Sequence, residues 1–322
     1  MSKLIKLQHE VISAVGRERL EQLHKPVFLA DLLTVVLVIV APYLIVACLY
    51  NFRLSAVAVL LLSLFQGWLI VLGALVAHEI AIHRRVFSPF WNKLLAALLF
   101  LPTTQRATRY SNNHRAHHQY VNTAKDPEIY KKQLVGSKRR IIFSTIFGFI
   151  FFKLTKSTVE DVASQDTDHQ ILDSKEDRKW LANERFLQIV LASLVVILGF
   201  FSPHAFVFGV LLPLVLWAPV INTIRVVGDH AVVDTSNEYW LSTLYPSSYF
   251  SVLFLYESGE FHQIHHIFPK IPFYRMPSAL RAMKPTFVQM GLNEERSLMR
   301  LLILWFAGRF EHGTAWRKNE TR

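Results

Sequence analysis

Four long apolar runs constrain this chain more than any other feature. Leu32–Tyr50, Ser55–Ala77, Phe186–Pro203 and Ala205–Ile221 contain no Asp, Glu, Lys or Arg. A bilayer hydrocarbon core of about 30 Å needs about 20 helical residues to cross it. Within lipid the backbone must bond to itself, which leaves helices and closed barrels. Runs of this length suit helices, so the expected fold is an all-α membrane protein with four transmembrane helices. The last two runs are short and contain Pro213 and Pro219, which predicts a kinked or closely spaced pair. Leu94–Pro102, Ile141–Phe152 and Leu301–Phe306 are too short to span and read as interfacial or partly inserted helices, part of a helical cap. The opening "MSKLIKLQHEVISAVGRERL" lacks the apolar core and small-residue cleavage site of a signal peptide. It reads as an amphipathic helix on the membrane, so residues 1–30 form an interfacial segment ahead of one membrane domain, 31–322.

Charge sets the expected orientation. Of 35 Lys and Arg residues, only Arg53 falls in the two turns Asn51–Leu54 and Ser202–His204. By the positive-inside rule, the opposite side is cytoplasmic. With four spans, both termini, the segment from His78 to Arg185 and everything after Ile221 then share that side. The net charge of +11 sits mostly there, where anionic lipid or an acidic protein would feel it. No compact basic domain stands apart from the apolar runs, so a nucleic-acid partner is not expected. The single cysteine, Cys48, excludes an internal disulfide and a Cys-ligated zinc or iron-sulfur site. Any metal must be held by nitrogen or oxygen.

Nitrogen is abundant. Of 14 histidines, eight fall in three tight groups, "HEIAIH" (His78, His83), "HRAHH" (His114, His117, His118) and "HQIHH" (His262, His265, His266). Residues three and four apart share a helix face, so each His-x-x-His-His can aim its rings into one volume. His78 and His83 lie five apart, about 140° around an ideal helix. They converge only where the helix end is distorted. Eight imidazoles exceed what one zinc ion needs; two metal ions are the economical reading, with zinc, copper, iron and nickel all open. His230, in "NTIRVVGDH", is a candidate ninth ligand, with Asp229 or Arg225 as its electrostatic support. Isolated His9, His24, His169, His204 and His312 read as hydrogen-bonded structural residues.

Taken together, the three groups resemble the histidine boxes of the integral-membrane fatty acid desaturase and hydroxylase superfamily. "HHQYVNTAKDPE" and "HHIFPKIPFYRMP" are also similar to segments of acyl-lipid desaturases. The resemblance implies a four-helix membrane bundle with a histidine-bound di-iron centre at its cytoplasmic mouth. It also implies an oxygen-dependent oxidation of a long hydrocarbon chain, with no catalytic side chain beyond the metal centre. Two departures stand out: Glu260 occupies the place two residues before the third box where many acyl desaturases carry asparagine, and Asp229–His230 follow the fourth run where relatives often show Glu-His or an asparagine.

Removing hydrogen from an unactivated methylene is beyond acid or base side chains, so the oxidant must come from metal and O2. Asp126 in "KDPE", Asp229 and Glu260 are candidate acceptors for the remote ring N–H of ligand histidines. Trp68 and Trp217 are candidates to line an apolar path for the acyl chain. The sequence holds no cysteine cluster and no glycine-rich dinucleotide fingerprint. The resemblance implies a separate electron donor of ferredoxin, rubredoxin or cytochrome b5 type, and an acyl lipid or acyl thioester as substrate. Two other readings compete: a hydroxylase or ketolase of the same superfamily acting on lipid, carotenoid or alkyl chains, and a metal transporter. Transport would place ionisable groups inside the spans, and these runs have none.

Overall fold

The computed structural model describes residues 3–103, 105–123, 125–128, 175–230, 237, 239–247, 254–292 and 297–307. The expected apolar segment Ile141–Phe152, His169 and His312 lie outside them. Among the described residues the secondary structure is helical, with no strand. Four helical stretches are long and apolar enough to cross a membrane: Arg17–Asn51, Ala56–Arg84, Lys175–Phe201 and Pro203–His230. The protein is an all-α membrane protein, and its chain divides into two compact units.

One unit comprises residues 28–113 and 143–223 and holds most of each spanning stretch. Helix α3 (Phe28–Asn51) packs on α4 (Ala56–Val76), which Ser55 starts by accepting the Ala58 N–H at 3.3 Å. Beyond Val76 the same helix continues as a π-helix, Ala77–Arg84, and ends at Arg85 in the left-handed conformation (φ 52°). Helix α5 (Pro89–Phe100) packs back on this π segment. Helix α7 (Lys175–Phe201) is followed, after Ser202, by the short α8 (Pro203–Phe206). Two π turns, Val207–Leu211 and Pro213–Trp217, then lead into α9 (Ala218–His230). Pro213 has no N–H to give the preceding turn, and wide turns absorb the irregularity that the prolines predict.

Close packing in this unit has a visible requirement at Gly67: a Cβ there would run into the Cβ of Trp217, whose indole N–H donates to Ser63 Oγ at 3.1 Å. Trp217 is thus a packing residue between α4 and the π turn, while Trp68 stacks on Phe65. Large apolar side chains are exposed on the outside of these helices, among them Phe28, Tyr43, Leu61, Phe186 and Phe200. The outer face is apolar because its solvent is lipid.

The other unit comprises residues 1–27, 114–142 and 224–322. Its core joins Leu7 and Val11 of α1 (Lys3–Val15), and Leu20 and Leu23 of α2 (Arg17–His24), to Phe261, Ile264 and Ile267 of α10 (Glu260–Ile267). Met276, Leu280 and Met283 of α11 (Met276–Gln289) complete it. The apolar stripe of α1 therefore meets α10 and α11. A stripe of this kind fits any apolar surface, protein or lipid alike. Gln8 on its polar edge donates to the Ile267 carbonyl at 2.7 Å, closing the C-terminal end of α10. Helix α12 (Leu298–Phe306) follows as the last described element.

Candidate metal centre

The first histidine pair stands on the π-helix. In a π turn the hydrogen bond closes over five residues rather than four, so side chains five apart come to lie one above the other. The His78 and His83 rings meet edge to face at 4.6 Å, with their Nε2 atoms 3.0 Å apart. The distortion that the five-residue spacing demanded is this wide turn. It is fastened by a buried ion cluster: Arg84 reaches Asp31 of α3 through both terminal nitrogens, at 2.8 and 2.6 Å, and Glu79 at 2.8 Å. All three side chains are buried, so the charges are stable only as a set.

Helix α6 (Ala107–Tyr120) carries the second group. Its first turn is capped from α7, where Glu184 accepts the Thr108 N–H at 3.0 Å and the Thr108 hydroxyl at 2.7 Å. Spacings of three and four on α6 and α10 gather the remaining rings by ordinary helix geometry. His118 Nε2 lies 2.9 Å from His114 Nε2 and 3.1 Å from His265 Nε2, and these three offer ligand atoms within 4.8 Å of one another. His117, His230 and His266 form a second set within the same limit. His262 Nε2 joins it, 2.9 Å from His230 and 3.2 Å from His266. Seven histidines from three separate stretches of chain thus converge inside one unit.

The remote nitrogens of two rings are hydrogen-bonded to oxygen, and that of a third lies beside a carboxylate. His117 Nδ1 lies 2.8 Å from Asp126 Oδ1, and Asp126 also accepts the backbone N–H of Asn122 and Glu128. His262 Nδ1 donates to the Glu257 carbonyl at 3.0 Å, and His265 Nδ1 lies 2.8 Å from Glu257 Oε2. A neutral imidazole that donates from Nδ1 presents a lone pair at Nε2. The inward Nε2 atoms of His117 and His262 are therefore acceptors, and the buried His117 Nε2 makes no hydrogen bond. That donor set fits a metal ion with nitrogen ligands.

Burial pushes His118, His262 and His266 well below the usual histidine range, and the neighbouring imidazoles push them further. His265 is pushed down to about 3 by burial, reinforced by the positive charge of Arg225 and by His117. These rings are neutral at physiological pH, the form that binds metal.

The other predicted residues lie as follows. Arg225 pairs with Asp229 at 3.2 Å, and Asp229 accepts the Ser258 hydroxyl, tying α9 to the turn before α10. Glu260 accepts the Ser247 N–H at 3.1 Å and faces Lys284 at 3.4 Å. Burial raises the Glu260 carboxyl above the ordinary range, against the pull of Lys284. Two residues that sequence reasoning passed over stand close to the rings: Glu257, and Glu128, whose carboxylate is 3.7 Å from His114 Nδ1. Their only signal in the sequence was an acidic residue near a box in an otherwise apolar chain. Gln263, between the ligand candidates of α10, accepts the Leu241 and Ser242 N–H groups and donates to the Tyr239 carbonyl. His24 and His204 bond to the backbone carbonyls of Leu20 and Leu49.

The described residues thus combine helices long and apolar enough to cross a membrane with buried histidine groups that could hold metal ions. Residues 54–296 match the family model described as "Fatty acid desaturase", three quarters of the chain. The chain belongs to the fatty acid desaturase family, within the membrane desaturase and hydroxylase superfamily of oxidoreductases that act on acyl lipids. No curated protein sequence matches it.

Proposed function

We propose that this protein is a membrane-bound desaturase that introduces a double bond into a long acyl chain, using O2 and electrons from a separate donor. In this reading, His78, His83, His114, His117, His118, His230, His262, His265 and His266 together hold two iron ions. The observation that carries it is the convergence of seven of these rings in one unit, with the remote nitrogens of His117 and His262 bonded to oxygen.

Iron with O2 would supply the oxidising power to take hydrogen from an unactivated methylene. The protein's own groups do the rest. Burial keeps the imidazoles neutral and available. Asp126 fixes the tautomer and orientation of His117, aiming its Nε2 inward. Arg225 and Asp229 hold α9, and with it His230, against the turn before α10.

The distribution of basic residues supports a cytoplasmic position for the histidines and both termini. It also supports docking of an acidic ferredoxin, rubredoxin or cytochrome b5-type donor on that face. Charge steering of this kind slows as salt rises; a reduction rate indifferent to salt would exclude it. The acyl-lipid type of substrate, with residues 31–322 as a single catalytic membrane domain, follows from the similarity of the segments after the second and third boxes.

Expression in a host with simple fatty acids, followed by gas chromatography and mass spectrometry of the lipids, tests the reading. A new double bond, absent from the His262→Ala variant, is the expected result. A hydroxyl or keto product would place the protein with the hydroxylases and ketolases of the superfamily. Redox-inactive metal with no O2 uptake under reducing conditions would overturn the oxidative reading.

A further inference from the structure

Glu257 lies in the turn that leads into α10 and is 1% exposed. Both of its oxygen-bearing groups face histidines: its backbone carbonyl accepts from His262 Nδ1 at 3.0 Å, and its carboxylate lies 2.8 Å from His265 Nδ1, at ion-pair distance but outside hydrogen-bond geometry. The two rings lie nearly parallel, 13° apart with centroids at 5.7 Å. Their inward nitrogens nevertheless go to different sets, His262 to His230 and His266, and His265 to His118. One residue therefore touches ligand candidates of both sets.

The backbone around Glu257 is built for this. Tyr256 before it has φ 60°, and Gly259 after it has φ 65°. Positive φ at a bulky residue is uncommon and persists only where packing fixes it. Tyr256 is 2% exposed and stacks on Phe273 at 4.6 Å. At Gly259 a Cβ would come within 2.8 Å of the Tyr245 ring and Ser247 Oγ. The turn thus has one geometry, and that geometry delivers the carbonyl and the carboxylate to two rings at once. A carboxylate this deeply buried is stable beside a positive charge, and a cation held by His265 would supply one through the ring. His117 and Asp126 repeat the arrangement in the other set, so each set contains at least one imidazole with a carboxylate behind it.

We propose that Glu257 is a positioning residue that fixes the orientation and tautomer of His262 and His265 and strengthens His265 as a metal donor. This rests on the reading of the histidines as metal ligands. The test uses the full-length protein in detergent, stripped of metal and titrated anaerobically with Fe(II), comparing wild type with Glu257→Gln and Glu257→Ala. Helix content and thermal unfolding of the metal-free forms are measured alongside.

Glu257→Gln keeps the shape and the backbone carbonyl but removes the charge. It should fold like wild type, bind Fe(II) more weakly and shift the iron midpoint potential to more positive values. Glu257→Ala should weaken Fe(II) binding by about 10–100-fold, as loss of an outer partner of a ligand histidine does. Wild-type affinity and potential in both variants would overturn the proposal. So would weak binding confined to a poorly folded Glu257→Ala with Glu257→Gln unchanged, since Glu257 would then be purely structural. His118→Ala and His265→Ala separate the two levels: if they bind as much Fe(II) as wild type, the metal-site reading itself fails, whatever Glu257 does.

Discussion

The two places that gather histidines reach the same end by different physics. On α6 and α10 the rings are three and four residues apart, and ordinary α-helices bring them together without distortion. At the end of the second spanning helix they are five apart, and the helix widens to π to align them. The supports differ accordingly. The first kind is steadied ring by ring, by Asp126 on His117 and Glu257 on His262 and His265. The second is steadied through the backbone, by Asp31 and Glu79 on Arg84, which closes the π turn. A local spacing that suits the helix needs only orientation of side chains. One that opposes it needs a clamp on the helix itself.

Four changes would break or sharpen that contrast. His262→Ala removes a ring of the α-helical kind and should lower product formation by more than about 100-fold, beyond the roughly 10–100-fold expected for an outer partner. Lipid analysis of the expressing host reads it directly. Asp31→Asn strikes the clamp instead. It leaves Arg84 short of a buried counter-charge and should destabilise the fold by about 3–5 kcal/mol, seen as a lower unfolding temperature of the detergent-solubilised protein.

Acid probes the rings of α10. His265 titrates near 3 in the folded chain and near 6.5 when unfolded, so between those values the unfolded chain binds the extra proton. Stability is therefore complete above about pH 6.5 and falls as pH drops through that window, by about 1.4 kcal/mol per pH unit for each such ring. Denaturant unfolding of the metal-free protein at pH 8, 6 and 5 should show a plateau followed by a decline. Ser55→Ala removes only the cap of α4, far along the helix from its π end, and should cost about 1 kcal/mol with no change in metal binding.

Much of the architecture was legible because it is written in local periodicity. The four spans follow from apolar length, and the His-x-x-His-His groups announce their shared face on any helix. The five-residue gap between His78 and His83 even announced a distorted turn, though not that it would be π or that Asp31 would hold it from 53 residues away. The charged partners were harder to read. Asp126 sits beside a proline turn and serves two backbone N–H groups as well as His117. Asp229 and Glu260 carry the same chemistry in the sequence, yet one is held by Arg225 and Ser258 and the other by Ser247 and Lys284. Glu257 gave no more signal than an acidic residue near a box, because its role depends on two positive-φ residues bending the chain around it.

Sequence alone determined what must happen within a turn or two of helix: where the chain can enter lipid, which rings share a face, and that nitrogen is the available metal donor. These follow from hydrophobicity and the 3.6-residue period, which act over neighbouring residues. The tertiary structure decided which carboxylate meets which imidazole and which buried charge finds its partner. Such pairings join residues far apart in the chain, and a buried ion is tolerated only where the whole fold brings its counterpart to it.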